Sequence, residues 1–180
     1  MERKFILTDK FVINSFGIKL FQIKCTKSFK YAQKGDFGGY VEKEGNLDQE
    51  NDAWVSGNAW VSGNARVSGN AWVSGDAWVS GDARVSGNAR VSGNARVSGN
   101  ADIENDNEHC GFDGFGSCNR HTHAYMTKEK KVEIICGCFR GSIEEFEKKV
   151  EETHSGTVYE KQYKSIINVI KIKFGLTDFT

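Results

Sequence analysis

The sequence predicts a mainly β protein: a short parallel β-helix of about three coils, preceded by a β cap and followed by a small ββαα module. Three observations support this fold class. A six-residue repeat occurs nine times between residues 52 and 105. Its variable positions sort into regular columns at intervals of 18 residues. The period then stops near residue 106, and helix signals follow. The expected domains are therefore residues 1–51, 52–108 and 109–180.

The repeat reads Asp/Asn-Ala-Trp/Arg-Val-Ser-Gly. Ala and Val are two residues apart, so in a strand their side chains point to the same side and fill a narrow core. Small apolar residues at a six-residue period are typical of a parallel β-helix, in which three repeats form one triangular coil. The glycine that ends each repeat, from Gly57 to Gly99, is expected to supply the positive φ of a corner.

The residue between Ala and Val must point outward, and an 18-residue coil distributes these residues over three faces. The first face carries Trp54, Trp72 and Arg90, the second Trp60, Trp78 and Arg96, and the third Arg66, Arg84 and Asp102. An arginine follows each tryptophan pair, which predicts cation–π stacking.

The two tryptophan faces are expected to contact something, because aromatic patches of this size are rarely left in water. Three interpretations remain open. A segment of the chain covers the tryptophans, the protein self-associates as a dimer or trimer, or a host protein docks there. Self-association is the favoured one. The predicted interface residues are Trp54, Trp60, Trp72, Trp78, Arg90 and Arg96.

The residue after each corner glycine forms a column of Asn and Asp side chains. At an 18-residue interval no Asp lies directly above another Asp; Asn58, Asp76 and Asn94 form one such column. Amides can hydrogen-bond along a stack, whereas adjacent carboxylates repel. This order is compatible with the triangular coil.

The third face raises a separate hypothesis. Arg66 and Arg84 would lie one coil apart, where like charges are unfavourable unless an anion or Asp102 offsets them. A nucleotide or a nucleic-acid backbone could bind there. Because a short row of arginines would make few phosphate contacts, the simpler interpretation is that both side chains are solvated. A nucleotide or nucleic-acid partner is therefore ranked below a protein partner.

Charge and composition indicate which partners and which cellular compartment to expect. Residues 1–34 hold eight basic and two acidic side chains, whereas residues 35–108 hold five basic and twelve acidic ones. The basic arm is expected to pack on its own acidic solenoid, with a nucleic acid as the alternative. Five cysteines and no secretory or membrane-spanning signal indicate a cytosolic protein without membrane contact.

The repeat resembles the hexapeptide-repeat proteins that form left-handed parallel β-helices. The resemblance implies a left-handed coil. It also implies acyltransferase chemistry, since many members are trimeric acyltransferases with a catalytic histidine on the coil, and some relatives bind zinc through coil histidines. Residues 52–105 contain no histidine. We therefore expect no enzyme activity and no cofactor, with a degenerate acyltransferase as the remaining enzyme alternative.

The segments around the repeat predict a cap and a separate module. Val41 and Leu47 lie in phase with the Ala positions and are expected to begin an irregular first coil. After the repeat, residues 111–117 read as a loop, and residues 122–126 and 131–136 as a hairpin. A capping box at Ser142 and Glu145 begins a helix, and a second helix is expected over residues 159–173.

The C-terminal module contains an unusual density of cysteine and histidine. The zinc-ligand candidates are Cys118, His121, His123, Cys136 and Cys138, with His109 and Cys110 nearby. On a hairpin, the face of Cys136 and Cys138 could meet the face of the two histidines. The alternative is that the cysteines are buried small hydrophobes. Zinc is not favoured.

Four segments carry a more specific resemblance. They are residues 35–47, Gly114–Ser117, Cys136–Ser142 and Glu152–His154. Together with the repeat they resemble uncharacterised hexapeptide-repeat proteins of phages and prophages, from which the chain departs at Cys118, His121 and His123. The resemblance implies a phage-encoded protein in the bacterial host cytosol. In that setting, binding and blocking a host defence component is the expected role.

Overall fold

A computed structural model of the chain describes residues 2–176. The chain divides into two compact units, an N-terminal unit (Met1–Asp106) and a C-terminal unit (Asn107–Thr180). Within the described residues, no helix is long and apolar enough to cross a membrane.

The N-terminal unit consists of strands and one short helical turn. Three longer strands come first: β1 (Phe5–Ile13), β2 (Lys19–Cys25) and β3 (Phe37–Val41). A 3-10 turn, Glu44–Asn46, follows. Nine two-residue strands then occupy the repeats: β4 (Trp54–Val55), β5 (Trp60–Val61), β6 (Arg66–Val67), β7 (Trp72–Val73), β8 (Trp78–Val79), β9 (Arg84–Val85), β10 (Arg90–Val91), β11 (Arg96–Val97) and β12 (Asp102–Ile103).

The nine short strands pair in parallel within three sheets, as the six-residue period predicts, and one of these sheets also contains the antiparallel strands β1 to β3. Trp54 pairs with Trp72, Trp60 with Trp78, and Arg66 with Arg84, so the coil is 18 residues long. The strand orders are β4-β7-β10, β6-β9-β12, and β1-β2-β3-β5-β8-β11 for the third sheet. The predicted fold class, a mainly β protein built on a parallel β-solenoid, is confirmed.

The number of coils and the phase of the first one differ from the prediction. The solenoid has about four turns instead of three, because β3 and Leu47 add a coil before the repeats. Val41 pairs with Val61 and Leu47 with Val67, so both occupy Val positions and the predicted Ala phase was wrong. This first coil spans 20 residues. The two additional residues lie between Leu47 and Val55, which are eight residues apart instead of six.

The core and corners follow the repeat. The Ala and Val side chains of all nine repeats, with Ile103 at the last Val position, are at most 2% exposed. At the corners, the Asn58 amide donates to Asp76 Oδ1 at 3.1 Å and the Asn64 amide to Asp82 Oδ1 at 3.0 Å. The predicted hydrogen bonds along the corner columns are thus confirmed.

Lys4 closes the open edge of strand β4. In the interior coils, a backbone N–H of one coil donates to an Ala carbonyl of the next, as Trp54 does to Ala71. Among the described strands, none precedes β4 in its sheet. The Lys4 ammonium instead donates to the carbonyls of Ala53 at 2.8 Å, Glu50 at 3.0 Å and Asn51 at 3.2 Å. The basic N-terminal arm therefore packs on its own solenoid, as expected.

The C-terminal unit is a four-stranded antiparallel sheet and two helices. The strands are β13 (His109–Phe115), β14 (Arg120–Met126), β15 (Val132–Cys136) and β16 (Phe139–Ser142), in the order β13-β14-β15-β16. The predicted ββαα module is therefore corrected to ββββαα. Residues 111–117 read as a loop because of their glycines, but residues 109–115 form β13, which pairs with β14 as an edge strand, where glycine is tolerated.

The two helices cover one side of this sheet. Helix α1 (Ile143–His154) begins with the predicted capping box of Ser142 and Glu145. Helix α2 (Val158–Lys173) follows after a short turn. The apolar side chains of both helices pack against Ala124, Ile134 and Cys136 of the sheet and form the core of this unit: Ile143, Phe146, Val150, Tyr163, Ile166, Ile167 and Ile170.

Candidate functional site

On the first tryptophan face, aromatic side chains from the segment that precedes the repeats pack against the tryptophans. Phe29 meets Trp54 edge-on at 5.4 Å, and Tyr31 stacks on Trp72 at 5.4 Å with an interplanar angle of 14°. Trp54 is only 2% exposed. Trp72 also donates its indole N–H to Ser56 Oγ at 2.9 Å. The structure therefore corrects the expectation that Trp54 lies on an open outer face.

The second face keeps its aromatic side chains partly exposed. Tyr40, Trp60, Trp78 and Arg96 stand in register on four neighbouring strands of one sheet. Trp60 and Trp78 meet edge-on with ring centroids 5.6 Å apart. Phe16, which is 75% exposed, lies 6.0 Å from Trp78. We call these five residues the aromatic face.

The predicted arginine stacking occurs on this face. The Arg96 guanidinium lies 5.8 Å from the Trp78 ring centroid, within cation–π range. On the first tryptophan face, Arg90 pairs in register with Trp72, whose ring stacks on Tyr31. Both arginines are exposed.

The third face presents the two remaining arginines. Arg66 and Arg84 are exposed and directly paired on adjacent strands, and Asp102 follows Arg84 in the same column. The structure thus brings Arg66 and Arg84 together as the sequence predicted.

The five zinc candidates separate into two groups. Thr122 Oγ1 donates to Cys136 Sγ at 3.3 Å, on the side of the sheet that faces the helices. His121 and His123 flank Thr122 in β14, so their side chains point to the opposite side. The cysteine and histidine faces therefore do not meet. Among residues 2–176, no three His, Cys, Asp or Glu side chains are arranged to hold a metal ion.

The histidines form a row of their own. His121 Nδ1 lies 2.7 Å from Asp113 Oδ1, and His121 Nε2 lies 3.3 Å from His123 Nδ1. His109 lies next to His123, with ring centroids 5.3 Å apart. Burial holds the pKa of His123 well below its usual value, and the charges of His109 and His121 lower it further. His123 is therefore neutral at pH 7.

The cysteine group lies around a cavity of about 240 Å³ in the C-terminal unit. Cys118 and Cys138 are exposed, whereas Cys136 is buried. Three sequence segments that are distant along the chain meet there: Ser117 from the first, Cys136 to Phe139 from the second, and Thr153 with His154 from the third. All three belong to the motifs of the phage-protein resemblance.

Sequence reasoning missed several residues of this cavity, including Arg120, Lys149 and His154. The His154 ring stacks on Tyr163, with ring centroids 5.5 Å apart. The segments Gly114–Ser117, Cys136–Ser142 and Glu152–His154, already singled out in the sequence, were the signal that could have pointed to the cavity. The spacing of residues along the sequence gave no indication that side chains of α1 and α2 lie beside Ser117 and Cys138, in the turns that follow β13 and β15.

The stacked 18-residue coils make this chain a β-solenoid repeat protein. Four overlapping stretches, residues 59–75, 65–81, 83–99 and 89–103, match the YdcK β-solenoid repeat family. All of the matched residues lie in the solenoid. No curated protein matches the chain at a significant level.

Proposed function

We propose that this protein is a non-catalytic binding protein that self-associates, as a dimer or trimer, through the aromatic face. The observation that carries the proposal is the difference between the two tryptophan faces. Trp54 is 2% exposed beneath Phe29, and Trp72 is partly exposed but stacked by Tyr31. Trp60 and Trp78 are also partly exposed, and beside them lie each other and the exposed Phe16.

The composition of the aromatic face suits a protein interface. Large aromatic side chains and arginine contribute most of the binding energy in typical interfaces. Trp60 and Trp78 lie side by side on neighbouring strands and already contact each other, so these two side chains would lose little conformational entropy on association. A second copy of the chain presents the same surface, which suits a self-complementary contact across a twofold axis. In a trimer this face would instead meet a different surface of the neighbouring copy.

The double substitution Trp60→Ala and Trp78→Ala is expected to abolish self-association. Each truncation removes an aromatic side chain whose remaining exposed part is available for contact with a second copy. Light scattering at several protein concentrations should give the oligomer mass for the wild type and the monomer mass for the variant.

A matched control uses the third face. Arg66→Ala with Arg84→Ala changes two side chains at the same coil position, and this variant should retain the wild-type mass. Far-UV circular dichroism should show that both variants keep their secondary structure. An oligomer mass that survives the tryptophan substitutions would refute the proposed interface.

We further propose that the protein is phage-encoded and acts in the host cytosol on a host defence component. The support is the resemblance of the flanking motifs, together with the aromatic face as the surface available to a protein partner. Affinity capture from a bacterial lysate, with the Trp60→Ala and Trp78→Ala variant as the reference bait, would test this. A protein retained equally by both baits would not be a partner of this face.

Nucleotide or nucleic-acid binding is the second candidate function. It is supported by the exposed and paired Arg66 and Arg84. Binding through them should weaken with rising salt and disappear in the double alanine variant. A wild type that binds neither nucleotides nor nucleic acid would eliminate it. For the alternative of a degenerate acyltransferase, the test is calorimetric titration with acetyl-CoA, and absence of binding would eliminate it.

A further inference from the structure

The cavity of the C-terminal unit is lined by basic side chains. Arg120 comes from the start of β14, and Lys149 and His154 come from α1. None of the described residues that line the cavity is Asp or Glu. Lys149 lies 3.5 Å from Glu152, but both side chains are more than half exposed, so this pair compensates little of the charge.

Arg120 is the least compensated of the three. Among the residues that the structure describes, the thiols of Cys118 and Cys138 raise the pKa of Arg120, but a protonated thiol carries no charge and does not compensate the guanidinium. Gly137, at φ +62°, has no side chain and lets the guanidinium lie against the turn between β15 and β16. A guanidinium fixed in this way presents its N–H donors to a planar or tetrahedral anion.

The other side of the cavity is aromatic. Phe139 and Phe146 have ring centroids 5.0 Å apart, and Phe146 meets Tyr163 edge-on at 5.6 Å. The His154 ring stacks on Tyr163 at an interplanar angle of 28°. This wall belongs to the apolar core of the unit, so it is held in place by α1 and α2. A flat apolar group is the natural occupant of such a wall.

We propose that this cavity binds a small phosphate monoester that carries a planar ring. The ring packs against Phe139, Phe146 and the Tyr163–His154 stack, and the phosphate pairs with Arg120. Lys149 and the hydroxyl groups of Ser117 and Thr153 supply further donors. Phosphate suits this set better than a carboxylate, since it offers three oxygens to several donors.

The size of the cavity limits the ligand. Pockets for drug-sized ligands span about 300–1,000 Å³. At about 240 Å³ this cavity is smaller, and it fits one ring with its phosphate. The expected ligand class is therefore aryl phosphates or the base-and-phosphate portion of a nucleotide.

Phenyl phosphate is the probe that tests the site. Calorimetric or NMR titration should show saturable binding to the wild type at concentrations up to about 10 mM. Phenol, which lacks the charge, and inorganic phosphate, which lacks the ring, should each bind more weakly. Arg120→Gln should weaken phenyl phosphate binding by about tenfold or more, since a charged hydrogen bond is lost.

Three further variants distinguish this site from general charge effects. Lys148→Gln removes a neighbouring exposed charge that does not line the cavity and should leave the affinity unchanged. Lys149→Gln should weaken binding several-fold. Because Lys149 is an exposed helix position, this variant tests the site even if Arg120→Gln fails to fold. Arg66→Ala with Arg84→Ala should have no effect, which separates this site from the solenoid arginines.

The exposed thiols give an independent measurement. Bound phenyl phosphate should slow the alkylation of Cys118 and Cys138, quantified by mass spectrometry, because both line the cavity. Absence of wild-type binding at about 10 mM would overturn the proposal. Binding that is equally strong in Arg120→Gln and Lys149→Gln, or that leaves thiol alkylation unchanged, would do the same.

Discussion

Substitution of Gly75 by alanine is expected to destabilise the solenoid by about 3 kcal/mol. Gly75 has φ +68°, where a side chain costs about 1–2 kcal/mol. Its added Cβ would also lie 2.9 Å from the Gly93 backbone nitrogen and 3.2 Å from Gly93 Cα in the next coil. Relieving this overlap requires the backbones of two coils to separate, and overpacking of this kind typically costs about 1–3 kcal/mol.

Gly93 provides the control in the same corner column. It has φ +65°, but no heavy atom of the described residues lies within 4 Å of the position that a Cβ would take. Gly93→Ala should therefore cost only the conformational part, about 1–2 kcal/mol. All four tryptophans lie in the solenoid repeats, so urea denaturation followed by tryptophan fluorescence reports on this unit. Equal losses for the two variants would contradict close stacking of the corners.

Substitution of Lys4 by methionine is expected to cost about 2 kcal/mol at pH 7. Methionine fills similar space but cannot donate, so the carbonyls of Glu50, Asn51 and Ala53 lose their partner at a buried edge. Leaving buried acceptors unsatisfied costs more than the net energy of the bonds themselves. The loss should appear as a lower urea midpoint with an unchanged slope.

The pH dependence of this effect follows from the same burial. Desolvation lowers the pKa of Lys4 from 10.5 to about 8, against the weaker opposing charges of Asp48 and Asp52. Between these two values the unfolded chain binds more protons than the folded one, so the stability of the wild type rises with pH. Below about pH 8 this gain is absent.

The Lys4→Met variant has no ionisable group at this position, so its stability does not gain from deprotonation there. The difference in unfolding free energy between wild type and variant should therefore widen from about pH 8 to pH 10.5, by up to about 3 kcal/mol. Ionisation of side chains that do not interact with Lys4 occurs in both proteins and cancels in the difference. Cys25 does interact with Lys4, so both proteins should carry Cys25→Ala in this comparison. A difference that does not change over this range would contradict a buried, desolvated Lys4 ammonium.

The regular part of the fold could be predicted from the sequence, because the outward tryptophans recur at intervals of 18 residues, which is the length of one triangular coil. Trp54 above Trp72 and Asn58 above Asp76 follow from the 18-residue coil. The first coil could not be placed in the same way. Val41 and Leu47 lack the flanking repeat residues, and two additional residues before Val55 shift them from the Ala phase to the Val phase.

The candidate sites were less predictable, because they depend on contacts between distant segments. The outward direction of Trp54 was implicit in the repeat, but its burial depends on Phe29, whose position no periodicity determines. The cysteines of the C-terminal unit were singled out. Arg120 and Lys149, from a strand end and a helix face, meet them only after the sheet and helices pack.

The 18-residue register limits how this protein can change its length during evolution. Gain or loss of three repeats adds or removes one whole coil, and each later side chain keeps its face. Gain or loss of a single repeat moves each later side chain to the neighbouring face. Trp78 would then leave the column of Trp60 if the change fell between them. Insertions and deletions of six residues are therefore permitted by the core but rearrange the surface.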